Sequence, residues 1–464
     1  MDDEVKPEME LSLLEQPQHR EDPILGRTDP APPKQTVVFL DGLRGLAALL
    51  VYLSHNVSWY YNPDDPMQKG YGYHDGSRMF ATLPFVRIFF TGGGAAVSIF
   101  FVLSGFVLSR SPLRMLRDGI KPYNVLLSST IRRPVRLYTP PIVISLIVAF
   151  CLHTPIAPLL SWPPTQPNII LEIWNWLKEL LYALNPFIEH APYTAWFPYN
   201  PPIWTMTYEY KGSILVFFLL ALSTPLPTER ARMLLFGACG VILLLTGTWA
   251  MACFMAGVVL AMTDVEDRAR FASTLDRNKN IMLHAIFFAG WYLLSQVGGG
   301  EHNPEVSYGV YGWYYLTKAT PKIYSNKEYW RFWQSIGAVM VVFAILRIRW
   351  LQHRLTSLKY LGKVSFSLYL LHTPILWIVS DRLFRFFTHR RPEAEIDSWF
   401  DNRVDVPDVG PRGLTTKFLL CQAALLSFIM VLSHYSTIYI DDPSMRLSKW
   451  FSTKVMAAMG RSER

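Results

Sequence analysis

The chain has 464 residues, of which 51% are hydrophobic and 17% are charged, and its net charge is +8. The charged share is low for a soluble protein, and several apolar runs are long enough to cross a bilayer. This excludes a soluble domain with a large core and predicts an all-α, polytopic transmembrane helix bundle. The positive charge needs no nucleic-acid partner, because basic residues gather in particular loops, as membrane orientation requires.

The chain divides into a long membrane domain with a tail at each end. Residues 1–36 are polar, acidic and proline-bearing, which predicts a disordered cytosolic tail and not a signal peptide. The membrane domain is predicted over 37–450, and residues 451–464 are predicted to form a cytosolic C-terminal tail.

Hydropathy predicts about ten membrane-spanning helices. They cover 37–55, 83–108, a third that ends near 151, 203–222, 233–246, 249–262, 281–297, 332–346, 364–379 and 414–438. A further helix over 171–184 is predicted to lie at the membrane interface. We expect both termini to be cytosolic, in an endomembrane or the plasma membrane, because the arginine- and lysine-rich loops then fall on one side. The basic loop from Arg382 to Arg412 is a partial exception.

The first predicted helix carries an arginine and a histidine inside an apolar run. Ionisable side chains are costly at membrane depth, so they usually mark a site. Arg44 and His55 are eleven positions apart, which places them on nearly the same helix face and roughly 16 Å apart along the axis. The alternative is that the arginine snorkels to the interface and the histidine lies at headgroup level.

The second basic group is Arg132, Arg133 and Arg136, at the mouth of the third helix. Arg133 and Arg136 are one turn apart and share a face, so their guanidinium groups could grip phosphate oxygens. The positive-inside rule alone would also place arginines here.

The fourth helix presents one polar face, on which Thr205, Tyr208, Glu209 and Gly212 recur at helical spacing. A carboxylate at this depth should have a polar or cationic partner. Glu209 is therefore either catalytic or part of a structural ion pair, for which Arg44 is a candidate partner.

The ninth helix carries a second polar face. Ser365, Tyr369 and His372 are spaced by four and three residues. They could contact the substrate, but a hydrogen-bonded contact between helices is slightly favoured. The four cysteines lie in apolar segments, which predicts no disulfide framework and no metal site.

These blocks resemble those of the acyltransferase 3 family of integral membrane acyltransferases, in a fungal-like member. Leu-Asp-Gly-Leu-Arg-Gly-Leu-Ala followed by Ser-His resembles the first helix of that family, in which an arginine and a histidine are separated by ten residues. The further blocks in family order are Phe100–Leu108, Arg133–Pro140, Trp204–Glu209, Ser365–His372 and Asp441–Arg446. The last of these is predicted to stop a helix. Tyr210 departs from the pattern, because a second acidic residue often follows the glutamate in relatives.

The resemblance implies a membrane-embedded O-acyltransferase. It would transfer an acyl group, with acetyl expected, from acyl-CoA to a hydroxyl of a small-molecule, lipid-like or glycan acceptor. His55 would be catalytic, as the general base that removes the hydroxyl proton, and an acyl-histidine intermediate stays open. Asp41 or Glu209 would orient the histidine ring.

The donor would be held by the basic groups. Arg44, Arg132, Arg133 and Arg136 are predicted to contact the phosphates or upper arm of the acyl-CoA, and no metal is expected. The rival interpretation is a transporter in which intramembrane Arg, Glu and His form a substrate or proton pathway. It predicts pseudo-symmetric repeats, which the sequence does not show.

Overall fold

The computed structural model describes residues 38–61, 69–73, 78–159, 163–187, 197–271, 277–298, 308–325, 328–389 and 397–460. These residues belong to one unit, Val38–Arg464, and form helices with no strand among them. The predicted tail over 1–36 lies outside the described residues.

Thirteen longer helices carry most of the described chain. They are α1 (Val38–Tyr61), α2 (Gly93–Arg117), α3 (Tyr123–Cys151), α4 (Ile169–Ala183), α5 (Trp204–Ser223), α6 (Glu229–Leu245), α7 (Trp249–Phe271), α8 (Arg277–Leu294), α9 (Trp330–Ile345), α10 (Arg349–Thr356), α11 (Lys359–Ile375), α12 (Thr416–Ser436) and α13 (Asp442–Ala458). Short helical segments are Phe80–Thr82, Ile88–Thr91, Pro201–Ile203, Tyr314–Lys318, Lys322–Tyr324, Leu376–Ser380, Asp381–Phe386 and Thr437–Asp441.

The all-α membrane class is confirmed, but the count of about ten spans is not. A helix lies at each predicted position, including the interfacial one, yet only some are long and apolar enough to cross a bilayer. In the described part of the chain, these are Val38–Tyr61, Gly93–Arg117, Tyr123–Cys151, Lys359–Phe386 and Thr416–Ala458. A sixth results if α9 and α10, which meet at a bend of 94°, are taken as one span. Other helices fall short, among them α6 with 17 residues.

The second predicted span is interrupted before its glycines. Phe85 adopts a positive φ of 67°, and α2 begins only at Gly93. A Cβ atom added to Gly93 would lie 3.0 Å from Ser54 Oγ of α1, so the glycine allows the two helices to approach closely. This contact brings the start of α2 to the level of His55, which follows Ser54.

The backbones of α1 and α11 also cross in direct contact. A Cβ atom on Gly45 would overlap the backbone of Gly362, and one on Gly362 would overlap the carbonyl group of Asp41. Only glycine permits this approach. As a result, the polar face of α1 lies alongside the polar face of α11.

The prediction of a helix stop at Asp441–Arg446 is wrong. The chain remains helical, because Pro443 lies in the first turn of α13, where its missing N–H is tolerated. Ser452 of α13 lies 2.9 Å from Ser128 of α3 between the two hydroxyl oxygens, and both residues are buried. The α13 helix therefore continues to Ala458 and packs against α3.

Candidate active site

A cavity of about 120 Å³ lies between α1, α2, α3, α5 and α11. Its polar lining residues are Arg44, Ser104, Arg133, Arg136, Thr205, Glu209, Ser365 and Tyr369. Its apolar lining residues are Val97, Phe100, Phe101, Leu137, Met206 and Phe366. Polar residues from five separate sequence blocks thus meet in one cavity.

Glu209 is held by an ion pair across this cavity. Its Oε2 atom lies 2.8 Å from Arg133 Nη2, and Ser104 donates a hydrogen bond of 2.8 Å to its other oxygen. Arg133 also donates through Nε to Ser213 Oγ at 2.8 Å. The side chains of Arg133 and Glu209 are only 16% and 12% exposed. The candidate partner Arg44 instead lies 3.8 Å from Asp41, one turn away on its own helix.

The remaining arginines differ in their surroundings. Arg136 lines the cavity and is exposed, and it makes no ion pair or hydrogen bond with the described residues. Arg132 does not line the cavity; its guanidinium lies 3.4 Å from Ser129 Oγ. The difference follows from helix geometry, because Arg132 is rotated about 100° from Arg133.

His55 does not line the cavity and is linked to it through two other rings. Tyr369 lines the cavity, the ring of His372 lies 5.6 Å from the Tyr369 ring, and the ring of His55 lies 4.9 Å from that of His372. His55 is exposed, whereas His372 is 1% exposed. The rings of Tyr369, His372 and His55 therefore follow one another from the cavity to His55.

No predicted carboxylate is placed to orient His55. Asp41 precedes it by fourteen residues on the same helix, which is roughly 21 Å along the axis. Glu209 is engaged by Arg133 and Ser104. The roles of Asp41 and Glu209 as orienting acids therefore stay predictions, and the ionisable ring next to His55 is that of His372.

Sequence reasoning also missed two serines of the site. Ser104 and Ser213 both bond the Arg133–Glu209 pair. Ser104 stands alone among apolar residues in a block that resembles the family, which was a usable signal. Ser213 follows Glu209 by four residues, one helix turn, and could have been found from that spacing. Among the described residues, no cluster of His, Cys, Asp or Glu could hold a metal ion.

Comparison with known proteins agrees with the sequence pattern. The family model described as an acyltransferase domain, that of acyltransferase 3, matches residues 37–433. The O-acetyltransferase PaAT-1 of Phomopsis amygdali is 27% identical over 447 residues, which cover 89% of this chain and 84% of that protein. No solved structure matches the chain significantly. Because the family model spans most of the chain and its blocks converge on one cavity, the protein belongs to the acyltransferase 3 family and is an acyltransferase.

Proposed function

We propose that the protein is a membrane-embedded O-acyltransferase that takes its acyl group, expected to be acetyl, from acyl-CoA. The observation that carries this proposal is the cavity lined by three arginines and one glutamate, with the rings of His372 and His55 following its lining residue Tyr369. Charged groups are retained at such depth when they serve a ligand. The similarity to a protein named an O-acetyltransferase supports acetyl as the acyl group and oxygen as the acceptor atom.

The three arginines of the cavity contribute differently to donor binding. The charge of Arg133 is balanced by Glu209, and Arg44 has Asp41 nearby. Arg136 is exposed and forms no ion pair or hydrogen bond with the described residues, and the carboxylate that acts on it electrostatically is that of Asp441. It is therefore the guanidinium most available to a phosphate of the donor, through the charge-assisted bonds that this group forms with oxyanions.

The acyl transfer itself is assigned to His55. The donor arm extends from the arginines past Tyr369, over the roughly 16 Å that separate Arg44 and His55. His55 removes the proton of the acceptor hydroxyl as the oxygen attacks the thioester carbonyl. The new C–O bond forms, the C–S bond breaks, and the proton passes from His55 to the departing CoA thiolate. The acceptor is a hydroxyl on a small molecule, a lipid-like molecule or a glycan.

Arg136 and Arg132 offer a matched test of the donor model. They are neighbouring arginines on α3, but only Arg136 lines the cavity. We expect Arg136→Ala to weaken CoA binding by at least about tenfold, the loss of about 1.4 kcal/mol from a charge-assisted contact. Arg132→Ala should bind CoA like the wild type, and Arg136→Lys should recover only part of the affinity because it lacks the planar fork. Calorimetry of the purified variants measures this.

The proposed role of His55 as general base is tested by acetyl-CoA turnover. His55→Ala should lower turnover by about 10²–10⁴-fold, the usual contribution of a general base, while CoA affinity stays the same. Because the acceptor is not identified, turnover is measured as slow hydrolysis of acetyl-CoA and, in cells with and without the gene, as acetylated metabolites. Equal CoA affinity in Arg136→Ala and Arg132→Ala would contradict the role of Arg136 in donor binding. Wild-type turnover by His55→Ala would contradict the role of His55 as general base.

A further inference from the structure

His372 is a buried imidazole that uses only one of its two ring nitrogens. Its Nδ1 atom is hydrogen-bonded to the backbone carbonyl oxygen of Tyr369. A carbonyl oxygen can only accept, so Nδ1 carries the hydrogen. In a neutral imidazole the other nitrogen, Nε2, then has a free lone pair and can only accept.

No donor among the described residues reaches this acceptor. His372 is 1% exposed, and Nε2 makes no hydrogen bond with the described residues. Buried acceptors are nearly always bonded, so an unbonded one points to a donor supplied in a functional state. The ring nearest to it is that of His55, at 4.9 Å between centroids and tilted by 39°. A hydrogen bond between the two rings requires that a ring N–H of His55 point at Nε2 of His372, and the two rings are close enough for this.

We propose that His372 is the positioning residue of the site, in which its Nε2 atom accepts a hydrogen bond from a ring N–H of His55. This inference rests on the proposed function, in which His55 is the base. The bond fixes the tautomer of His55, because one ring nitrogen must keep its hydrogen to donate to His372. The opposite nitrogen then presents its lone pair to the acceptor hydroxyl. In this proposal His372 has the orienting role that the sequence analysis predicted for a carboxylate.

The proton balance is complete without charging His372. His55 gains the hydroxyl proton on its free nitrogen and becomes an imidazolium. Its bond to Nε2 of His372 becomes charge-assisted and stronger at that moment. The proton then leaves His55 for the CoA thiolate, and both rings return to their neutral form. A neutral acceptor suits this position, because a carboxylate would have to remain ionised in a desolvated setting before the reaction.

Two isosteric substitutions separate the ring nitrogens of His372. His372→Asn keeps an amide N–H near the position of Nδ1, which can still bond Tyr369, but it lacks an acceptor near Nε2. His372→Gln places an amide oxygen near Nε2 and loses the Nδ1 donor. We expect His372→Asn to lower acetyl-CoA turnover by about 10²–10⁴-fold, the scale seen when a histidine base loses its tautomer control. His372→Gln should remain within about tenfold of the wild type. CoA affinity, measured by calorimetry, should be unchanged in both.

The relative turnover of His372→Asn and His372→Gln decides whether the inference holds. If His372→Asn turns over like the wild type, Nε2 is not needed and His372 serves only the contact with Tyr369. If both variants lose turnover equally while CoA affinity is intact, a simple acceptor is insufficient and the positioning role is also overturned.

A second measurement is independent of activity and of folding losses in the variants. Solid-state ¹⁵N spectra of histidine-labelled wild-type protein report which ring nitrogens carry hydrogen, and His55→Ala identifies the His55 signals. A single His55 tautomer bonded to an unprotonated Nε2 of His372 is expected. Mixed tautomers of His55 would contradict the inference. If the wild type binds and hydrolyses no acyl-CoA, the proposed function fails, while this spectrum still tests the bond between the histidines.

Discussion

Replacing Arg133 with alanine should destabilise the protein much more than replacing Arg136, although both arginines line the same cavity from α3. Arg133 makes a 2.8 Å ion pair with Glu209 and a 2.8 Å hydrogen bond to Ser213, and less than a fifth of either charged side chain is exposed. Its removal leaves Glu209 buried with Ser104 as its remaining partner. Breaking a buried pair in this way costs about 3–5 kcal/mol, because the stranded charge is not compensated. Arg136 is exposed and unpaired among the described residues, so its loss should cost less than about 1 kcal/mol.

The assay is reversible unfolding in mixed micelles with increasing denaturing detergent, followed by tryptophan fluorescence. A double variant, Arg133→Ala with Glu209→Gln, provides the control, because it removes the stranded charge and should recover part of the lost free energy of unfolding. Arg132→Ala reports the effect of removing an arginine from α3 outside the cavity. Equal destabilisation by Arg133→Ala and Arg136→Ala would refute the reasoning, since it would mean that the pair with Glu209 contributes nothing.

Two further predictions concern the periphery of the bundle. His389 lies outside the spans, stacks on Tyr60 at 3.5 Å and bonds its carbonyl oxygen, and burial lowers the pKa of its imidazole. Folding disfavours the charged imidazole, so the melting temperature should fall as the pH drops below about 6.5, the pKa of a histidine in the unfolded chain. His389→Gln should make this fall smaller. If the pH profile of the variant equals that of the wild type, His389 is not its cause. Both termini should be cytosolic, so tags at the two ends should show the same protease access in sealed vesicles of known orientation, and protection of one tag alone would indicate an odd number of spans.

Much of the site was readable from helical spacing within single segments. The periodicity of α1 placed Arg44 and His55 on one face, and the polar faces of α5 and α11 were visible in the same way. Spacing within one helix cannot say which helix lies opposite. Glu209 therefore had several candidate partners, and only the packing of α3 against α5 selects Arg133.

The helix ends and the number of membrane spans were harder to predict from the sequence. Pro443 is a helix breaker in most positions, but it lies in a first turn, and nothing local to Asp441–Arg446 indicates that α13 continues to pack on α3. Hydropathy likewise finds apolar helices without stating which of them are long enough to cross, as α6 illustrates. The helix ends and the number of spans depend on tertiary contacts between residues that are far apart in the sequence.

The contact between His55 and His372 has a consequence for how the enzyme is made. The two rings stand 317 positions apart in the sequence, on α1 and α11. At synthesis rates of 5–20 residues per second, α1 emerges from the ribosome roughly 16–60 s before His372 is translated. During that interval Arg44 and His55 are present without α11, which completes their surroundings. A chain that stops before α11 holds His55, the proposed base, but not the residues of α11 that line the cavity. Activity therefore requires that nearly the whole polypeptide has been synthesised. The early helices must remain in an incomplete bundle until the late helices pack against them.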